Sequence, residues 1–328
     1  MPKLSERVNT FTDSVIRRMT RISDEYGAIN LSQGFPDFDP PKEILDALAK
    51  VAYEGPHQYS ITFGAENFRE ALAKKQGKAI GREINPETEI VVTCGGIEVI
   101  IVCNPSNPCG KVFTREELTQ IGELAVKYDG FVVTDEVYEH IVYAPNEHVC
   151  MASLPGMYEH TITCNSLSKT YSITGWRPGY LIGPEEVIEG AKKVHDFLTV
   201  GAAAPLQEAA VTGLKFPESY YEDLLALYTK KREHFLNGLD EIGLKHNVPQ
   251  GTYFVMIDIQ EFLDLPQFAG YTDLEFCEWM IKNIGVAAVP GSSFFREEVN
   301  KLIRLHFARE EKTIDEALAR LKKLKELV

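Results

Sequence analysis

The densest chemistry in the chain lies at residues 161–179, Thr-Ile-Thr-Cys-Asn-Ser-Leu-Ser-Lys-Thr-Tyr-Ser-Ile-Thr-Gly-Trp-Arg-Pro-Gly. A short β-prone run over 161–164 breaks into a Ser-rich turn that presents Lys169, with Arg177 eight residues further on. A lysine flanked by hydroxyls and closed by Gly175 and Gly179 suits the bottom of a polar pocket. Burial there beside a second cation lowers the ammonium pKa and makes the amine nucleophilic. Taken alone, the same stretch is also compatible with an ordinary Ser-Lys-Thr turn and a Gly-Trp loop, so the rest of the chain has to decide.

Further candidates stand at strand ends and in fixed loops. The apolar run Gly130-Phe-Val-Val-Thr-Asp135 ends in a carboxylate and is followed by Glu136-Val-Tyr138. Such an acid is either a helix cap or a ligand at the carboxyl end of a parallel strand. A strand over 89–93 ends at Cys94-Gly95-Gly96, where glycines let backbone N–H groups approach an anion, or simply turn the chain. A second strand from Val99 runs into Asn-Pro-Ser-Asn-Pro-Cys-Gly, which contains Asn107 and Cys109. Residues 31–41 form a loop dense in Gly and Pro that includes Gly34, and Tyr59 and Gly64 lie in Gln-Tyr-Ser-Ile-Thr-Phe-Gly. Residues 302–308 alternate, with Ile303, Leu305 and Phe307 on one face and Arg304 and His306 on the other.

The elements that must position these groups are legible in outline. Helices are predicted over 13–26, 42–53, 184–198, 205–214, 218–242 and 273–284. The helix at 114–127 has a capping box, Thr114 with Glu117, and Leu118, Ile121 and Ala125 on one face. A strand on each side of that helix reads as parallel α/β. Further strands are predicted over 252–257 and 286–289. The chain closes on a helix over 313–328, with Thr313 and Glu316 as a second capping box and Leu318, Leu321 and Leu324 on one face.

At 328 residues the chain exceeds the usual size of one core, so two domains are expected. A net charge of −14 argues against a nucleic-acid or anionic-membrane partner. Residues 1–22 carry five basic side chains without an apolar run, which is not a secretory signal, and no window is long enough to span a membrane. The cysteines at 94, 103, 109, 150, 164 and 277 lack paired metal-ligand spacing, so no metal is expected. They read as reduced thiols in a cytoplasmic protein.

Together these motifs resemble the fold-type I, class I/II aminotransferases, which depend on pyridoxal 5'-phosphate (PLP). The resemblance rests on Asn107, Asp135, Tyr138, Ser166, Lys169, Arg177 and Arg304 in that order. It implies an α/β fold: a doubly wound, mostly parallel sheet in a large domain, plus a smaller α+β domain. The implied bounds are 1–41 for an N-terminal arm, 42–235 for the large domain and 236–328 for the small one. It makes Lys169 the Schiff-base lysine and general base, and Asp135 the partner of the pyridine nitrogen. Tyr138 and Asn107 would bond the phenolic oxygen. Ser166, Arg177 and the Gly95-Gly96 backbone would hold the phosphate, joined by Tyr59 of a partner subunit in a homodimer. Gly34, Asn107 and Arg304 would meet the substrate carboxylate. The implied reaction moves an amino group from an amino acid to a 2-oxo acid such as 2-oxoglutarate. With no second arginine evident for an acidic side chain, neutral or aromatic donors are favoured. A carbon–sulfur β-lyase and a non-catalytic dimeric relative remain open.

The sequence departs from the family at Ile97, where a hydroxyl residue is usual, at Cys109, where Thr is usual, and in the ring-stacking aromatic, which is absent. The strands before Cys94 and after Val99 are not sequence neighbours in the family. They lie four positions apart in its sheet, roughly 19 Å sideways. With the return along a strand the span is about 25 Å, whereas four residues and their flanking bonds reach about 17 Å. A segment absent between Glu98 and Val99 is therefore expected. The alternative is a deletion that turns the two strands into a hairpin.

Overall fold

The computed structural model describes residues 15–56, 61, 63–93, 100–199, 201–295 and 299–328. Its first elements are α1 (Val15–Tyr26), β1 (Ile29–Asn30), α2 (Lys42–Glu54), α3 (Glu66–Ile80), β2 (Ile90–Thr93), β3 (Ile100–Cys103), α4 (Arg115–Lys127) and β4 (Val132–Asp135). They are followed by β5 (Thr161–Ser166), β6 (Gly179–Ile182), α5 (Glu185–Thr199), α6 (Ala204–Leu214), α7 (Glu218–Ile242) and β7 (Phe254–Asp258). The last are α8 (Asp273–Asn283), β8 (Val286–Ala287), β9 (Val289–Pro290), β10 (Leu302–His306) and α9 (Glu311–Leu321). Two compact units result. The larger comprises Phe35–Thr229 with Gln250–Thr252, and the smaller takes the chain before Phe35, Lys230–Pro249 and Tyr253–Val328.

In the larger unit, apolar residues with period two build a sheet that is covered on both faces. Its order is β2-β6-β5-β4-β3; β3, β4 and β5 run parallel, and β6 is antiparallel to β2 and β5. Ile90, Val92, Tyr180 and Ile182 point to one face and join Phe68 and Leu72 of α3 in one core. Val91, Val133, Ile162 and Leu181 point the other way, onto Ile188 and Ala191 of α5. Burial on both faces is why β2 and β6 are mostly apolar, whereas β5 (Thr161–Ser166) is mixed. β3 and β4 are parallel neighbours joined through α4, as the strand–helix–strand pattern predicts. Thr114 accepts from Glu117 N–H at 3.2 Å, and Glu117 accepts from Thr114 N–H at 2.9 Å, so the predicted capping box forms. α3 and β6, which the sequence reading left without an assignment, complete the sheet and one of its covering layers.

The predicted hairpin alternative is not the arrangement found. β2 and β3 lie at opposite edges, four strand steps apart, as in the family order. The junction between them, with Gly95, Gly96, Glu98 and Val99, lies outside the described residues, and so does Tyr59.

The smaller unit holds an antiparallel sheet, β7-β10-β9, and a parallel pair, β1-β8. Two expectations are corrected here. The single strand predicted over 286–289 divides at Ala288. Val286–Ala287 pairs with β1, while Val289–Pro290 pairs with β10, with Pro290 closing the run because it has no N–H to donate. The last helix starts at Glu311, ahead of the predicted Thr313 cap, and Thr313 N–H bonds the carbonyl of Glu310 inside its first turn. Acidic residues at 310 and 311 suit the positive helix end, and Glu316 pairs with Arg320 one turn on instead of reaching back.

Candidate active site

The polar groups of the larger unit gather at the carboxyl ends of β3, β4 and β5. Strand register puts Cys103, Asp135 and Cys164 in one row across the three strands. Side chains in such a row share a face. Asp135 opens to solvent by area, yet the surrounding protein desolvates it enough to raise its carboxyl above the ordinary value. A hydrogen bond from Val137 N–H at 3.3 Å opposes that rise, Glu136 adds to it, and the positive field of Lys169 opposes it. Asp135 has no ion pair among the described residues. Burial first, then the Asp135 charge, pushes the Cys103 thiol up to about 11 and the Cys164 thiol to about 12. Both are therefore neutral at physiological pH, and Asp135 is the only charge in its row.

β5 leads straight into the lysine turn. Ser166 Oγ lies 2.6 Å from Ser168 Oγ and 2.9 Å from Pro178 O, and it accepts from Ser168 N–H at 3.1 Å. The hydroxyl is thus fixed between the two ends of the turn, with Lys169 half-buried just beyond it. Arg177 closes the turn in a left-handed conformation, φ 62°, which a side chain of its type adopts only at a cost of about 1–3 kcal/mol. Its guanidinium is exposed and donates to Thr174 O at 3.2 Å. Tyr138 is buried at 3%, one residue ahead of Glu139, and Asn107 is exposed with its N–H on Cys103 Sγ at 3.5 Å.

Beneath the turn runs a buried network of residues from distant segments. Glu139 accepts from Gln76 at 3.2 Å and from Asn165 at 3.0 Å, and pairs with Lys75 at 3.7 Å. Asn165 in turn accepts the Ser166 N–H at 2.6 Å. Burial alone would raise the Glu139 carboxyl. Lys75, His140, His148 and Gln76 outweigh it and hold the group at about 2. Only the pairing of distant segments brings these residues together, so no local signal could have shown it.

In the smaller unit Arg304 is 2% exposed on β10. It donates to Ser32 O at 2.9 Å and lies 4.1 Å over the Phe254 ring and 4.7 Å over Phe294. Gly34 is fixed by the same ring, since a Cβ there would stand 2.5 Å from Phe254. Its carbonyl accepts from Tyr253 OH at 3.2 Å. Gly34 and Arg304 therefore share one ring, Phe254, which alternation along the strand did not reveal.

The donor set fits PLP on the molecule's own terms. Asp135 is a desolvated carboxylate without an ion pair among the described residues, which is what a protonated ring nitrogen requires. Ser166 and Arg177 offer a hydroxyl and an exposed guanidinium beside a half-buried lysine. Among the described residues no group of His, Cys, Asp or Glu could hold a metal ion, and no helix is long and apolar enough to cross a membrane.

A mixed sheet wound on both faces, with this set at its strand ends, defines a fold-type I, PLP-dependent enzyme. The chain matches the model for "Aminotransferase class I and II" over residues 26–100 and 94–321, and it belongs to that family. It is 30% identical over 404 residues to kynurenine–oxoglutarate transaminase 3 of Bos taurus, covering 96% of this chain and 89% of the relative. It is 28% identical over 375 residues to methionine aminotransferase of Escherichia coli, covering 95% and 96%. The solved N-succinyldiaminopimelate aminotransferase from Mycobacterium tuberculosis superposes with a TM-score of 0.89 at 30% identity, covering 98% of this chain and 100% of that one. Both sequence alignments are longer than the part of this chain they cover, by roughly 60 to 90 positions. The family match divides between residues 94 and 100, where the sequence reading placed an absent segment.

Proposed function

We propose that this aminotransferase moves the amino group of a neutral or aromatic α-amino acid to a 2-oxo acid such as 2-oxoglutarate. The observation that carries the reading is the desolvated Asp135 carboxylate within the field of Lys169 at the ends of parallel strands. The names of two relatives, a kynurenine–oxoglutarate transaminase and a methionine aminotransferase, support a neutral or aromatic donor, and the first supports an oxoglutarate acceptor. PLP, when bound, supplies an electron sink for the charge left on Cα as its proton departs.

The chain's own residues do the rest. Lys169 Nζ would hold the cofactor at its aldehyde carbon and, once free, would move the proton at Cα as general base. Asp135 would keep a proton on the ring nitrogen by its charge. Tyr138 OH and Asn107 would bond the phenolic oxygen. Ser166 Oγ and Arg177 would hold the phosphate; in the family pattern Gly95, Gly96 and a Tyr59 from a partner subunit would join them. Arg304, with Gly34 in the same unit, would grip the substrate carboxylate and so fix the Cα–H bond that breaks; the family pattern gives Asn107 a part in the same task. The Tyr59 match also supports a homodimer. Cys103, Cys109, Cys150, Cys164 and Cys277 are in no disulfide, in keeping with a cytoplasmic setting.

The test is an absorbance spectrum with PLP before and after borohydride, followed by peptide mapping and a donor screen with 2-oxoglutarate. The expected result is a visible band that reduction removes, a pyridoxyl group on Lys169, and glutamate formed from methionine or an aromatic donor. Pyruvate and ammonia from a cysteine conjugate without any 2-oxo acid would instead make it a β-lyase. No band at all would leave the non-catalytic reading.

A further inference from the structure

A hollow lies in the larger unit between α3, the end of α6 and the start of α7, with a volume of about 620 Å³. Four lysines line it: Lys74, Lys75 and Lys78 from α3, and Lys215 just after α6. Some lysines of this acidic chain have an acid within ion-pair distance and others do not. Lys42, Lys50, Lys111, Lys192, Lys230 and Lys325 are each paired with one. Lys74, Lys78 and Lys215 have no ion pair among the described residues, although all three border the same hollow.

The floor differs from an ordinary charged surface. Lys75 is largely buried, with its ammonium 2.7 Å from His140 Nε2 and 4.7 Å from the Tyr221 ring centre. His140 and Tyr221 stack at 4.3 Å and form a flat wall beside it. Because Lys75 donates to Nε2, that nitrogen carries no hydrogen and the imidazole is neutral, so Nδ1 holds the N–H. Burial, then Lys75, lowers His140 to about 4 against the pull of Glu139. Of the two acids in the lining, Glu139 is already held by Lys75, Gln76 and Asn165, which leaves Glu218 as the one uncompensated negative charge. The hollow is net positive and far larger than a single ion, within the usual range for small-molecule sites.

We propose that this hollow binds a small multivalent anion bearing phosphate or carboxylate groups, with Lys75 meeting it at the floor and Lys74, Lys78 and Lys215 at the rim. Nothing in this assignment depends on the roles given to Lys169 or Asp135, although the floor reaches the lysine turn through Glu139 and Asn165.

The experiment uses PLP-saturated enzyme, so that the cofactor's own phosphate position is filled. Sodium pyrophosphate and, separately, sodium succinate are titrated by calorimetry at an ionic strength held constant with sodium chloride. A saturable one-site isotherm is expected for at least one probe, with a Kd of about 1 mM or tighter. In Lys78→Gln/Lys215→Gln, which alters only exposed side chains, affinity falls about tenfold or more, the loss of charge-assisted bonds worth about 1.4 kcal/mol or above. Lys75→Gln abolishes binding; should it unfold, the rim variant alone decides. Binding by pyrophosphate only assigns a phosphoryl ligand, and binding by succinate assigns a carboxylate one. Heats that merely follow chloride overturn the proposal. So does affinity unchanged in the rim variant, or binding lost in Arg177→Gln while the rim variant retains it.

Discussion

At the scale of single residues, Asp135 shows what a sequence can and cannot disclose. Its type, its place at the end of an apolar run and its order before Lys169 were enough to single it out. The neutral thiols of Cys103 and Cys164 on either side were not legible, because strand register is a long-range property. Those thiols keep other charge out of the row, so in the proposed mechanism a ring nitrogen would meet one carboxylate. Asp135→Asn is therefore expected to retain PLP on Lys169 after borohydride while kcat falls at least about a hundredfold. Steady-state kinetics beside peptide mapping checks both halves, and an unchanged kcat would remove Asp135 from the mechanism. Arg304 follows similar logic. Its guanidinium plane lies over Phe254 and Phe294, and an ammonium reproduces neither that stacking nor a two-pronged grip. Arg304→Lys is expected to raise KM for the amino acid by about tenfold or more, with a smaller change in kcat.

At the scale of elements, local chemistry decided where local chemistry was strong. The Thr114–Glu117 box started α4 where the sequence put it, and Thr114→Ala is expected to lower stability by about 1 kcal/mol in chemical denaturation. The Thr313–Glu316 pattern failed because Glu316 found Arg320 one turn on, a partner that competes for the same carboxylate. The cluster around Glu139 joins α3 to the segments beyond β4 and to β5, and it sets an acid limit. His140 is lowered from 6.5 to about 4 in the folded chain, and Glu139 from 4.5 to about 2. Between about pH 6.5 and 4 the unfolded chain binds the His140 proton and the folded chain does not. The same holds for Glu139 between about 4.5 and 2, so stability from both is present above these windows and is lost as pH falls through them. Denaturation midpoints measured across pH should decline from about pH 6.5 downward. His140→Gln should flatten the upper part of that decline, and a decline of identical shape in the variant would refute the assignment.

At the scale of the whole molecule, the sheet order carries the argument. The span between β2 and β3 was computable from the sequence once the family order was supposed, and the structure places the two strands at opposite edges. What the sequence could not show is the surface this leaves. β3 is an outer strand, with Ile100 at 40% and Ile101 at 69% exposure. On α5, Phe197 and Leu198 are exposed at 91% and 75%. A flat apolar edge strand invites pairing with another chain, and native proteins usually blunt such an edge with charge. The purified 328-residue chain is therefore expected to bind a hydrophobic dye and to sediment as species larger than a dimer. Ile101→Lys, which places a charge on the open edge, should reduce both signals without altering the α/β circular dichroism spectrum. Dye binding and sedimentation that do not change in Ile101→Lys would mean that β3 is not the adhesive edge. The exposed end of α5 would then be the next surface to charge, through Phe197→Glu.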